Sequence, residues 1–203
     1  MMQIEDIISN VQVYGLEESI KRSKYPMSTD TNACTTEPTK TTYSLGRASV
    51  GSGHDNWLNG VIVQFDLTFT NKAWVEAERY HFLDFVSSQS TMHRITKFNL
   101  DKAYIEYTDP RMIEIMQQLV AQYNADPTPD NYLKVLYSNP AGFKITAGMT
   151  TNYRQLKTIY YQRKNHRLPE WQVFCEWCLT LPLFRDLVIG AECVPNSKER
   201  KDL

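Results

Sequence analysis

Apolar residues occupy every second position in one segment of the chain, GVIVQFDLTFT at 60–70. The repeating positions are Val61, Val63, Phe65, Leu67 and Phe69. A period of two places these side chains on one face of an extended chain, so the segment predicts a strand with one buried face. Two shorter apolar runs, at 11–14 and 143–149, predict further strands.

Helical spacing of apolar residues, with capping residues and prolines, marks much of the remaining chain. It predicts helices at 16–24, 71–81 (capped by Asn71), 110–124, 129–137 and 168–181, and one more that is capped by Thr151 or Asn152. The clearest is 110–124, where Asp109 stands at the cap position and Pro110 in the first turn. Its predicted apolar stripe is Met112, Ile115, Met116, Leu119 and Val120.

The order of these elements indicates the fold class. Strands and helices follow one another without a regular strand–helix–strand repeat, which favours an α+β fold with a mainly antiparallel sheet and long packed helices. We predict a single domain over 1–203, with a polar C-terminal tail at 195–203. The Thr-rich segment 28–42 predicts a long loop.

Composition excludes several classes of partner. The net charge is −1, and hydrophobic and charged residues make up 42% and 22% of the chain. These values predict a globular protein without the basic field that attracts nucleic acid. No apolar run reaches bilayer length and no signal-peptide pattern is present, so we expect a cytoplasmic protein without a membrane partner.

Motifs for common cofactors and metals are missing or incomplete. The segment 46–52, GRASVGS, lacks the lysine of a phosphate-binding loop, and no GxGxxG follows a strand. Histidines 54, 81, 93 and 166 lie far apart, which predicts no metal site. Cys175 and Cys178 form a single CxxC inside a helical run, and we interpret them as two small apolar side chains on adjacent turns.

Two polar stretches carry candidate chemistry. The first contains Asn152, Arg154, Arg163, His166 and Glu170 on one helix and the turn after it. Asn152 and Arg163 are eleven residues apart, about three helical turns, so the spacing places both on the same side. An arginine fork and an amide can bind an anion and the edge of a planar ring. The alternative is a solvated helix whose arginines pair with surface carboxylates.

The second stretch runs from Arg79 to Arg94. Basic residues at its ends enclose a run of hydroxyl and amide side chains: Ser87, Ser88, Gln89, Ser90 and Thr91. Such donors suit a phosphate-binding loop, and a polar surface turn is the alternative. The neighbouring Phe82, Phe85 and Val86 predict that the stretch is partly buried.

Taken in order, these segments resemble the flavin-dependent thymidylate synthases, over roughly residues 44–175. That family has a Gly-His near a strand, a motif RHRxxSxNExSxR, and a late helix with Asn-x-Arg and a further arginine. The matching segments here are Gly53-His54, Arg79-Tyr80-His81, Asn152-Tyr153-Arg154, Arg163, His166 and Glu170-Trp171. The chain departs from the motif at Tyr80, His81 and Asp84, which stand in place of His, Arg and Ser.

The resemblance implies an enzyme that binds FAD between the subunits of a homotetramer. It implies reductive methylation of dUMP to dTMP, with NADPH and methylenetetrahydrofolate as co-substrates. It implies that Arg163 contacts the pyrimidine as the catalytic residue, that Ser88, Gln89, Ser90 and Arg94 hold the nucleotide, and that His54, Arg79, His81, Asn152 and His166 line the flavin site. The altered motif keeps two alternatives open: a flavin enzyme acting on another pyrimidine nucleotide, or a non-catalytic nucleotide-binding homologue.

Overall fold

The computed structural model describes residues 2–190, so the predicted tail at 195–203 lies outside the described residues. It contains four strands: β1 (Ile8–Tyr14), β2 (Ile62–Thr70), β3 (Asp84–Ser88) and β4 (Lys144–Asn152). The α-helices are α1 (Leu16–Arg22), α2 (Lys40–Gly46), α3 (Asn71–Ala77), α4 (Thr91–Arg94), α5 (Pro110–Ala125), α6 (Pro129–Ser138), α7 (Tyr153–Arg163) and α8 (Pro169–Cys178). A π-helical turn at Arg185–Ile189 closes the described chain.

The four strands form one antiparallel sheet in the order β1-β2-β4-β3. Strand β2 lies inside the sheet and pairs with β4 along its whole length, from Ile62 opposite Asn152 to Thr70 opposite Lys144. The alternating apolar residues of β2 are buried, as the period of two predicts. The predicted strand and the predicted α+β fold class are both confirmed.

The main core lies between the buried face of the sheet and helices α3, α7 and α8. Aromatic rings dominate this layer. Phe65 contacts Trp177 with 4.5 Å between ring centroids, and Phe69 contacts Trp171 at 4.9 Å in an edge-to-face arrangement. Tilted and edge-to-face contacts of this kind add to the stabilisation that burial provides. The core therefore fixes α7 and α8 firmly against the sheet.

A second, smaller core lies beneath α5 and α6, around Met116, Val135 and Phe143. The predicted stripe of α5 is only partly correct, since Met112 and Ile115 are 40% and 44% exposed. The helix is covered on one side only, by α6 and the segment before it, so the buried face is narrower than the apolar pattern. The cap of α5 is as predicted, because Asp109 Oδ1 accepts a hydrogen bond from Arg111 N.

Two other local predictions need correction. The predicted loop at 28–42 runs into helix α2, which begins at Lys40, because Thr39 and Thr42 form a reciprocal capping pair. Helix α3 is capped by Thr70 and not by Asn71, since Thr70 Oγ1 accepts from Ala73 N at 3.2 Å. Both corrections come from threonines whose capping role the pattern of apolar residues does not reveal.

Candidate functional site

The C-terminal end of α3 and the exposed side of α7 enclose a cavity of about 350 Å³. Its lining residues are Arg79, Tyr80, His81, Phe82, Gln155, Thr158, Gln162 and Arg163. We call the buried Tyr80 and the partly buried Arg163 the floor, and the exposed Arg79, His81 and Phe82 the rim. The cavity combines cations, amides and aromatic rings, the groups that bind a phosphorylated planar ligand.

Arg163 is held in place from several sides. Its Nε donates to the Tyr80 hydroxyl at 2.7 Å, and its Nη1 lies 3.0 Å from Glu76 Oε2. The guanidinium also lies over the Trp171 ring, 5.1 Å from its centroid. Burial raises the pKa of the Tyr80 hydroxyl, although Arg163 acts in the opposite direction. Tyr80 therefore stays protonated and donates to Gln162 Oε1 at 3.0 Å.

Glu76 joins Arg163 to His166. His166 Nε2 lies 3.0 Å from Glu76 Oε2, and His166 Nδ1 accepts from Leu168 N at 3.2 Å. Because Nδ1 is an acceptor, the proton is on Nε2 and the imidazole is neutral. Burial lowers the pKa of His166 despite the nearby Glu76 carboxylate. Burial opposes ionisation of Glu76, but a hydrogen bond from Lys72 and the charges of Arg163 and Lys72 outweigh it and lower its pKa.

The rim carries two exposed basic side chains, Arg79 and His81. Neither side chain forms an ion pair or a hydrogen bond with another described residue. Phe82 is 60% exposed beside them. The rim can therefore contact an anionic group and an apolar ring without breaking an interaction inside the chain.

The predicted phosphate loop at 79–94 has a different structure. Asp84–Ser88 forms edge strand β3, with Ser88 opposite Ala147, and Thr91–Arg94 forms the short helix α4. Gln89 continues the pairing, since its side-chain Oε1 accepts from Thr146 N at 3.0 Å. The segment forms an edge strand because the backbone groups of β4 need hydrogen-bonding partners on that side. Ser88, Gln89, Ser90 and Arg94 do not line the cavity.

The predicted partial burial of this stretch is wrong. Phe85 and Val86 are 50% and 65% exposed, like Phe82 before them. All five residues of strand β3 are exposed, although the Phe85 ring contacts Trp74 of α3 with 4.9 Å between ring centroids. Together with Met92, which is 60% exposed, these residues form the apolar strip, a name we use for Phe82, Phe85, Val86 and Met92.

Asn152 and His54 lie away from the cavity lining. Asn152 caps α7, as predicted, with its Oδ1 accepting from Gln155 N at 2.9 Å. Eleven residues later Arg163 reaches the cavity, so the two side chains act at opposite ends of the helix. His54 is exposed in a turn.

The residue after His54 is the centre of a buried charge network that sequence analysis missed. Asp55 is fully buried, and its Oδ2 accepts from Lys157 Nζ at 2.8 Å while its Oδ1 accepts from Arg154 Nε at 3.1 Å. Lys157 is 1% exposed and also donates to the carbonyls of Gly46 and Ala48. The network ties the segment around 46–55 to α7.

Glu76 is the other functional residue that sequence analysis missed. It stands four residues after Lys72 and three before Arg79, on the helix that precedes the motif. That spacing predicts a surface ion pair with Lys72. It gives no sign of the contact with Arg163, which is 87 residues away.

Residues 2–190 contain no group of three or more His, Cys, Asp or Glu residues placed to hold a metal ion. None of their helices combines the length and the apolar character needed to cross a bilayer. Cys175 and Cys178 lie in the main core, 2% and 0% exposed.

Solved structures share this fold. A crystal structure of the flavin-dependent thymidylate synthase ThyX from Helicobacter pylori, complexed with FAD and dUMP, matches with a TM-score of 0.69 and 15% identity, over 92% of this chain and 100% of that one. A second structure of the Helicobacter pylori protein with FAD and dUMP gives 0.71 and 14%, over 93% and 100%. No protein-family model matches the sequence, and a search of curated proteins found no match. The chain has the fold of flavin-dependent thymidylate synthases.

Proposed function

We propose that the chain is a divergent flavin-dependent thymidylate synthase of the cytoplasm. It converts dUMP to dTMP with FAD as cofactor and with NADPH and methylenetetrahydrofolate as co-substrates. The observation that carries the proposal is the cavity, where a partly buried arginine and a buried tyrosine form the floor, and an exposed arginine and histidine form the rim. A chain with this fold and this donor set suits a ligand that joins a planar ring to a phosphate.

The side chains present fit part of an FAD molecule. Arg79 supplies charge and His81 a hydrogen-bond donor for its pyrophosphate, and Phe82 supplies an exposed ring beside them. The cavity volume is near the lower end of the roughly 300–1,000 Å³ typical of small-molecule sites, which is too small to enclose a dinucleotide. When bound, FAD would supply the redox chemistry, and the protein would orient and polarise the ligands.

The fit requires a second copy of the chain, and we propose the homotetramer for this reason. The apolar strip exposes Phe82, Phe85, Val86 and Met92, and it shares Phe82 with the rim. Strand β3 also leaves one edge of its backbone unpaired. An exposed apolar patch next to an incomplete cavity is typical of a subunit interface.

In the assembled site we propose distinct roles for the residues. Arg163 contacts the pyrimidine, and its fixed guanidinium donates hydrogen bonds to the uncharged edge of the ring. Ser88, Gln89, Ser90 and Arg94 lie outside the cavity of their own chain, so we propose that they hold the nucleotide in the cavity of a neighbouring subunit. For the flavin side we propose Arg79, His81, His54, Asn152 and His166. Asn152 acts by stabilising the first turn of α7, and His166 acts through its contact with Glu76.

The proposal is tested first by the absorption spectrum of the purified protein. We expect flavin bands, and FAD in the supernatant after denaturation. Arg79→Gln should weaken FAD binding at least about tenfold, since a charge-assisted contact to the pyrophosphate is lost. Arg167→Gln is the matched control, because Arg167 is also exposed and does not line the cavity. A colourless protein that binds no added FAD would refute the proposal.

One observation favours a second candidate, a nucleotide-binding homologue without catalysis. Glu76 neutralises Arg163 and so reduces its ability to polarise a pyrimidine. Tritium release from C5 of labelled dUMP separates the candidates, because only the enzyme releases it. Rescue of a thymidine-requiring strain then distinguishes dTMP synthesis from the modification of another pyrimidine nucleotide.

A further inference from the structure

Glu76 lies behind the cavity floor and contacts three basic side chains. Its Oε2 lies 3.0 Å from both Arg163 Nη1 and His166 Nε2, and its Oε1 lies 3.3 Å from Lys72 Nζ. The side chains of Glu76 and Arg163 are each only 13% exposed, so water screens their attraction weakly. Lys72 is 56% exposed and points its charge into solvent.

This arrangement sets the charge that a ligand meets at the floor. The carboxylate of Glu76 cancels the charge of Arg163, and His166 adds none because its imidazole is neutral. A phosphate placed against Arg163 would also approach the carboxylate, and like charges in a partly buried site repel strongly. The uncharged edge of a planar ring is not repelled by the carboxylate, and it can still accept hydrogen bonds from the guanidinium.

The rim differs because the charge of its arginine is not neutralised. No described residue pairs with the side chains of Arg79 or His81. The negative group of a ligand is therefore stabilised at the rim and disfavoured at the floor. The two ends of the cavity select two chemically different parts of one ligand.

We propose that Glu76 is the specificity-determining residue of this cavity. It makes the floor selective for an uncharged planar heterocycle and confines phosphate to the rim. The inference rests on the cavity being the ligand site of the proposed function, and it adds a residue to which the family resemblance gives no role.

The test is a calorimetric titration of inorganic pyrophosphate into the full-length protein and its variants. Glu76→Gln frees the charge of Arg163, and pyrophosphate should bind about tenfold more tightly, as expected for one new charge-assisted contact. Glu78→Gln is the matched control, because it removes the same charge from an exposed residue two positions away. The double variant Glu76→Gln with Arg163→Gln should lose the gain, which assigns it to Arg163.

A second comparison decides the matter if Glu76→Gln does not fold. In an otherwise unchanged protein, Arg79→Gln should weaken pyrophosphate binding at least about tenfold, and Arg163→Gln should change it by less than about threefold. Equal losses in the two variants, or no gain in a folded Glu76→Gln protein, would overturn the proposal. Failure of the proposed function is recognised separately, because the pyrophosphate titration requires neither flavin uptake nor dUMP binding.

Discussion

Replacing Asp55 by Asn tests the buried charge network most directly. The substitution keeps the shape of the side chain and removes its charge. Lys157, at 1% exposure, is then left as a buried cation, while Arg154, at 32%, can turn to water. Removing one partner of a buried pair costs roughly 3–5 kcal/mol. The carbonyls of Gly46 and Ala48 still accept from Lys157, so we expect a loss near the lower limit, about 3 kcal/mol.

The assay is urea unfolding at one fixed protein concentration, because association shifts apparent stability. At a slope of about 2 kcal/mol per molar urea, the midpoint of Asp55→Asn should fall by about 1.5 M. Arg154→Gln leaves the buried pair intact and should lose less than about 1 kcal/mol. Asp130→Asn, a change of the same type at an exposed position, should stay within about 0.5 kcal/mol. A loss below about 1 kcal/mol for Asp55→Asn would refute the reasoning.

Three further predictions concern other parts of the described chain. Burial raises the pKa of Cys175 to about 12 and also raises the pKa of Cys178. A variant that keeps these two cysteines and has serine in place of all others should therefore not react with Ellman's reagent at pH 8 until urea unfolds it. Stability should fall on acidification in two steps seen by urea titration. Below about pH 6.5 the unfolded chain protonates His166 before the folded one does, and below about pH 4.5 the unfolded chain protonates Glu76 before the folded one does. A stability that rose over either range would contradict the two pKa directions. Asn152→Ala removes the cap of α7 and should cost about 1 kcal/mol, whereas Asn152→Asp should restore most of it.

The elements that sequence analysis predicted well are those with a local cause. Strand β2 has one buried face, so its apolar residues alternate and the period is visible. Helices α5 and α7 are capped by Asp109 and Asn152, whose side chains accept hydrogen bonds from the first turn that follows. Such signals lie within a few residues of one another and need no knowledge of the rest of the chain.

Strand β3 was not predicted because it forms by pairing with a strand that is distant in the sequence. DFVSS has no alternation to read, and all five residues are exposed. The segment is extended because the edge of β4, sixty residues later, offers hydrogen bonds. The same limit applies to the burial predicted for Phe85, since apolar residues beside a free sheet edge can face outward in a single chain.

The residues of the site also divide into those with a local signal in the sequence and those that depend on distant contacts. Arg163 and Arg79 were predicted from motif spacing, and the structure places both in one cavity. The partner of Arg163 could not be predicted, because the chain has 23 acidic residues and nothing in the order of residues selects Glu76. The packing of α3 against α7 and the sheet determines which acidic residue pairs with Arg163.

The ion pair between Glu76 and Arg163 also has a consequence for synthesis on the ribosome. The two residues are 87 positions apart, so at about 5–20 residues per second Glu76 is added to the chain roughly 4–17 s before Arg163. For most of that interval β2 lacks the neighbour β4 that completes its pairing. The nascent chain must therefore keep an apolar strand in a non-native setting until β4 is made, and a lone carboxylate until Arg163 is made. The cavity is thus among the last features to form.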